Sequence, residues 1–111
     1  MRDIDCNLIT EAISNMFREA CVYLPEDVSV AIKRARQLEE SPVARDVLDR
    51  ILENVGIAAS DTIPLCQDTG MAVVFLELGQ DAHIVGGDLY AAVDEGVRRG
   101  YDDGYLRKSV V

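Results

Sequence analysis

Between Leu8 and Val55 the apolar residues recur every three to four positions, and the pattern is interrupted only where proline intervenes. In the first stretch they fall at 8, 9, 12, 13, 16, 17, 20, 21 and 24. That is one stripe on an amphipathic helix, with Asp5 or Asn7 placed to cap its start. Pro25-Glu26-Asp27 opens a second helix, because proline fits the first turn and carboxylates favour the positive end of the helix dipole. Val28, Ala31, Ile32, Ala35 and Leu38 form its expected inward face, with Lys33, Arg34, Arg36 and Glu39 toward water. Ser41-Pro42 repeats the device. The third helix turns Ala44, Val47, Leu48, Ile51, Leu52 and Val55 inward and stops at Asn54 to Gly56, where glycine takes a left-handed cap without strain. Ile57 to Ser60 can add a short turn. Such brief links predict a compact helical layer and not a repeat array.

Beyond residue 60 the period changes. Met71 to Leu78 is a continuous apolar run bounded by Gly70 and Gly79, which predicts a strand covered on both faces. His83-Ile84-Val85 is a weaker second strand, close enough for a hairpin. Gly86-Gly87-Asp88 starts a fourth helix, capped by Asp88, with Leu89, Ala92, Val93 and Val97 inward and Gly100 closing it. Helices are thus expected near 7–23, 26–39, 42–55 and 88–99. The fold class is helix-rich α+β in a single domain over 1–111: three N-terminal helices, a short buried strand or hairpin near 71–85, then a fourth helix. With no tryptophan and 5% aromatics, its core is aliphatic.

A formal net charge of −9 argues against nucleic-acid phosphates and anionic membrane surfaces as partners. Arg98, Arg99, Arg107 and Lys108 are nevertheless concentrated near the end, so an anionic small molecule could find a local basic site. Arg98 and Arg99 also read simply as a solvated helix end. Three cysteines, an odd number, with no signal peptide and no transmembrane run, point to the reducing cytoplasm without disulfides. Cys21 falls on the apolar stripe and reads as core; Cys6, at the helix start, has no assigned role. His83, the only histidine, lies at the far end of the expected strand from Cys66, roughly 25 Å away, which argues against a Cys-His pair. The glycine pairs lack phosphate-loop spacing.

Chemistry is concentrated in Pro64-Leu65-Cys66-Gln67-Asp68-Thr69-Gly70, where a thiol, an amide, a carboxylate and a hydroxyl stand at the mouth of the apolar run. Scaffolds commonly present reactive groups there. The same residues also admit a plainer reading, with Cys66 as a small buried hydrophobe and Gln-Asp-Thr-Gly as a turn.

Ile63-Pro64-Leu65-Cys66-Gln67-Asp68-Thr69-Gly70 resembles the signature of the iron–sulfur fumarases and tartrate dehydratases, closest to the N-terminal part of a class I fumarate hydratase α subunit. Phe17-Arg18-Glu19-Ala20, Tyr23 to Asp27, Leu52-Glu53-Asn54, Glu95 to Arg98, Leu106-Arg107 and Val110-Val111 are similar to the family as well. The resemblance implies a hydro-lyase interconverting fumarate and malate, or dehydrating tartrate. It implies Cys66 as one ligand of a [4Fe-4S] cluster, Asp68 as acid/base, and Gln67 and Arg107 as binders of a small dicarboxylate. The family's other two cluster cysteines lie beyond Val111, and neither Cys6 nor Cys21 matches them. The chain is therefore expected to be an N-terminal fragment of a longer α subunit, cluster-free and inactive alone. Its expected partner is a β subunit or C-terminal domain, in a homo- or hetero-oligomer. A non-catalytic helical interaction module is the alternative.

Overall fold

The computed structural model describes residues 1–66 and 69–108. Its elements run β1 (Arg2–Asp5), α1 (Cys6–Val22), α2 (Glu26–Leu38), α3 (Pro42–Asp61), β2 (Ala82–Val85) and α4 (Leu89–Asp103). This is the expected helix-rich α+β architecture, with a strand inside the 71–85 region followed by the fourth helix. The chain forms two compact units, one of residues 1–18 and 68–111, the other of residues 19–67.

In the first unit β1 and β2 pair in parallel, Arg2 opposite Ala82 through Asp5 opposite Val85. Each strand leads into a helix. Asp5 accepts the Asn7 N–H at 2.8 Å to start α1, and Asp88 accepts the Ala91 N–H at 3.0 Å to start α4. Cys6, unassigned on sequence, is buried, and a Cβ built on Gly87 would lie 2.9 Å from its Sγ. Two glycines of α4 let it approach α1 closely. A Cβ on Gly96 would stand 2.8 Å from both the Thr10 carbonyl oxygen and Ile13 Cβ; one on Gly100 would stand 3.2 Å from the Ser14 carbonyl oxygen and Phe17 Cβ. Thr10 and Ser14 are consequently buried, and Thr10 Oγ1 donates to the Ala92 carbonyl at 2.8 Å. The buried face of α1 is centred on Thr10, Ile13 and Ser14, while Leu8 and Met16 of the apolar stripe are exposed.

Several boundaries differ from expectation. α3 does not stop at Gly56 but continues to Asp61, and α4 passes through Gly100 to Asp103. Gly100 is used for close packing, and no end is needed there. Of the two expected strands, His83-Ile84-Val85 forms within β2, whereas 71–78 has no regular structure and Phe75 is 94% exposed. β-branched composition supplies propensity, but a strand also needs a neighbour for its N–H and C=O groups. The neighbour of β2 is β1, and no described residues line up beside 71–78.

In the second unit α2 and α3 are joined through Glu39 to Ser41. Ser41 Oγ caps α3 by accepting the Ala44 N–H at 3.4 Å, and Arg36 Nε reaches Asp49 at 2.8 Å. α2 buries no residue, and α3 buries only Ala58. The inward faces expected for both helices are therefore half-covered at best: Val28, Leu38, Val47 and Ile51 are exposed. Two helices can each cover one stripe of the other, and a further layer is needed to close the rest. No helix among the described residues is long and apolar enough to cross a membrane.

Candidate functional site

α3 delivers the signature loop. Its last turn closes through Thr62 in the left-handed region at φ 54°, with the Ile63 N–H returning to the Ala58 carbonyl at 3.1 Å. The loop then docks by main-chain bonds. The Leu65 N–H donates to the Cys21 carbonyl at 2.7 Å, and Leu65 is buried. The Cys66 N–H donates to Asn54 Oδ1 at 3.0 Å. These two bonds fix the backbone beside Cys66 and leave its thiol exposed and out of any disulfide. Exposure excludes the reading of Cys66 as a buried hydrophobe. Cys21 is buried as expected, and desolvation pushes its thiol pKa up. Gln67 and Asp68 lie outside the described residues.

The loop resumes at Thr69, which is buried at 6% exposure. Its Oγ1 accepts the Arg107 N–H at 2.7 Å and donates to the Arg107 carbonyl at 3.3 Å. Its own carbonyl accepts the Tyr101 hydroxyl. Tyr101 is buried on α4, its ring tilted against Phe17 at 6.2 Å between centroids, and its main-chain carbonyl accepts the Leu106 N–H at 3.0 Å. α4 thus ends much as α3 does, with Gly104 bonding back to Gly100, Tyr105 left-handed at φ 55° and Leu106 buried. The structure brings Thr69 of the loop and Arg107 into direct contact through the main chain.

The basic residues near the end separate by partner. Arg98 and Arg99 both reach Glu95, and Lys108 reaches Asp102. Hydrogen bonds from Arg98 and Arg99 lower the Glu95 carboxyl to about 2, and Lys108 lowers that of Asp102. Of these four cations, Arg107 alone has no ion-pair partner among the described residues, and its side chain is exposed. His83 is exposed across the sheet from Asp3, Nδ1 to Oδ1 3.4 Å. No group of three metal-binding side chains occurs among the described residues. At the loop the chain offers one cysteine donor, and Cys6 and Cys21 are both buried. This donor set does not by itself hold a cubane cluster.

Sequence reasoning missed Asn54 and Tyr101. Asn54 reads as a helix stop, since only the fold shows a residue twelve positions before Cys66 reaching its N–H. Tyr101 had one available signal, a lone aromatic in a glycine-rich helix end.

Residues 10–111 match the family model described as fumarate hydratase (fumerase). Over 106 residues the chain is 38% identical to the Methanocaldococcus jannaschii protein named "Putative L(+)-tartrate dehydratase subunit alpha", covering 93% of this chain and 36% of that protein. It is 33% identical over 108 residues to the aerobic class I fumarate hydratase of Escherichia coli K12, covering 89% of this chain and 19% of the relative. To the L(+)-tartrate dehydratase subunit alpha of the same strain it is 25% identical over 105 residues, 95% of this chain and 34% of the relative. The chain therefore spans between a fifth and somewhat over a third of the length of these relatives.

Proposed function

Because the chain belongs to the fumarate hydratase family, we propose that it forms part of a hydro-lyase acting on a four-carbon dicarboxylate, fumarate and malate or tartrate. The observation that carries this reading is the exposed Arg107, which has no ion-pair partner among the described residues and is tied by its main chain to Thr69, the residue after Asp68. A guanidinium without an internal carboxylate partner is suited to a bidentate substrate carboxylate. Gln67 adds an amide donor to the same substrate. Asp68 serves as acid/base, taking the proton from the carbon next to a carboxylate as water is eliminated and returning it on hydration. Cys66 contributes one thiolate to an iron–sulfur cluster whose remaining ligands come from outside this chain. The exposed apolar side chains of α2, α3 and 71–78 support a covered assembly, with the rest of an α subunit or a β subunit as partner.

The test is turnover of fumarate, malate and tartrate by the complete enzyme with its partner subunit, prepared anaerobically, with iron and sulfide analysis. Asp68→Asn is expected to keep iron and lose roughly 10²-fold in rate. Arg107→Lys is expected mainly to raise KM. Cys66→Ser is expected to lose iron and activity together; full activity in that variant overturns the reading. Binding of a partner by a complete protein that turns over none of the substrates would favour the non-catalytic interaction module.

A further inference from the structure

We propose that the cleft between α1 and α4 binds a small zwitterion, an α-amino acid, whose carboxylate meets Arg18 and whose ammonium group meets Glu11 and Asp103. The inference is independent of the hydro-lyase reading, and the cleft lies wholly within the unit of residues 1–18 and 68–111. Glu11, Ser14, Asn15 and Arg18 follow one another at helical spacing and share one face of α1. Arg99 and Asp103, one turn apart on α4, complete the lining of a cleft of about 280 Å³. That volume falls just below the range for drug-sized ligands, so an occupant has to be small.

Arg18 carries the argument. Among the described residues its Nε is the buried side-chain polar atom left without a hydrogen-bond partner. Its Nη2 donates to the neutral Asn15 amide oxygen at 2.5 Å, and it forms no ion pair among the described residues. Nε and Nη2 form one edge of the planar guanidinium, an edge suited to two parallel bonds with a carboxylate. A buried donor without a partner is costly, and a carboxylate in the cleft supplies the acceptor. The Arg18 stem is also held. A Cβ built on Gly104 would stand 2.9 Å from Arg18 Cγ and 3.4 Å from its Cδ, so the stem lies against the end of α4 and little side-chain freedom remains to be lost on binding.

The other charges decide the class of ligand. Arg99 is engaged through Nε with Glu95 Oε1 at 2.9 Å. Glu11 and Asp103 are exposed and form no ion pair among the described residues. Asp103 also stands in the last turn of α4, where the helix dipole disfavours a carboxylate. An inorganic oxyanion would face both carboxylates, and a simple cation would leave Arg18 Nε unpaired. A molecule that carries a carboxylate and an ammonium group meets both needs.

The experiment titrates the complete protein with L-alanine by calorimetry, beside propionate, which lacks the ammonium group, ethylamine, which lacks the carboxylate, and inorganic phosphate. The Nε–H magnetic resonance signal of Arg18, assigned by its loss in Arg18→Lys, localises binding. L-Alanine is expected to bind saturably and to shift that signal, with the other three each about threefold or more weaker. Arg18→Lys is expected to weaken L-alanine about tenfold or more, and Asp103→Asn, at an exposed position, about threefold. L-Alanine that does not bind, or that binds without moving the Arg18 signal, overturns the proposal. So does propionate or phosphate binding as tightly as L-alanine. Should Arg18→Lys fail to fold, Asp103→Asn decides, because it is a near-isosteric change at an exposed helix end; unchanged affinity for L-alanine in that variant refutes the assignment.

Discussion

Gly96→Ala is expected to destabilise the protein, against the usual preference for alanine in helices. Relative to glycine, alanine in a helix interior gains about 1 kcal/mol. At Gly96 the new methyl would meet the Thr10 carbonyl oxygen and Ile13 Cβ at 2.8 Å and Ile13 Cγ2 at 2.9 Å. The first of these is backbone and cannot rotate away, so α1 and α4 must separate by several tenths of an ångström. Overpacking of this kind costs about 1–3 kcal/mol. Separation also stretches the buried Thr10 bond to the Ala92 carbonyl, now 2.8 Å, worth about 1 kcal/mol. The sum exceeds the gain in helix propensity, leaving a net loss of about 1–3 kcal/mol and a fall in Tm of about 4–8 °C for each. Gly56→Ala is the internal control: it lies inside α3 with nothing within 4 Å of its built Cβ, so the propensity gain of about 1 kcal/mol should appear undiminished. Denaturant and thermal unfolding followed by circular dichroism measure both. A Gly96→Ala midpoint equal to or above wild type would refute the close-approach argument.

Thiol labelling with mass-spectrometric mapping should modify Cys66 first and Cys6 and Cys21 slowly, since only Cys66 is exposed; Cys21 reacting first would contradict the fold around the loop. Thr62→Gly should raise stability by about 1 kcal/mol, because a β-branched residue at φ 54° carries left-handed strain that glycine does not. Hydrogen bonds from Arg98 and Arg99 lower the Glu95 carboxyl to about 2; Arg36 lowers that of Asp49 and Lys108 that of Asp102. A lowered folded pKa stabilises above the unfolded value, about 4, and that contribution is lost as pH falls toward 2. An acid titration of helix content should therefore steepen across that window and flatten in Glu95→Gln.

Much of the helical skeleton is legible from the sequence because periodicity and caps act locally. Pro25, Ser41-Pro42 and Asp88 mark three helix starts, since the geometry they impose is complete within one turn. Glycine is ambiguous by comparison. Gly56 stands in open helix, and Gly100 lies against Ser14 and Phe17, yet both resemble helix stops when neighbours are unknown. β1 escapes notice because Arg2-Asp3-Ile4-Asp5 is mostly charged and its pairing partner lies some eighty residues away. The opposite error occurs at 71–78, where composition is strand-like and pairing is absent among the described residues. At the loop, residue types suggest the proposed chemistry, but the supports of the backbone do not show. Asn54 and Tyr101 act through one long-range hydrogen bond each to the loop backbone, and no local pattern encodes such a bond.

Thr62 and Tyr105 are the non-glycine residues at positive φ among the described residues, and their positions are informative. Thr62 precedes the loop that carries Cys66, and Tyr105 stands two residues before Arg107. Each occupies the left-handed step by which a helix turns into a segment of the proposed site, and each is followed by a residue bonding five positions back, Ile63 to Ala58 at 3.1 Å and Leu106 to Tyr101 at 3.0 Å. Glycine would make either turn with less strain. It would also widen the range of directions in which the chain leaves the helix, because glycine restricts its neighbours least. A side chain held at positive φ persists only where surrounding contacts over-determine the backbone. At Thr62 those contacts are the bonds from Leu65 to Cys21 and from Cys66 to Asn54; at Tyr105 they are the buried Leu106 and the Thr69–Arg107 pair. Both helix exits thus trade a small amount of stability for a fixed direction, and they do so at the segments that bear Cys66 and Arg107.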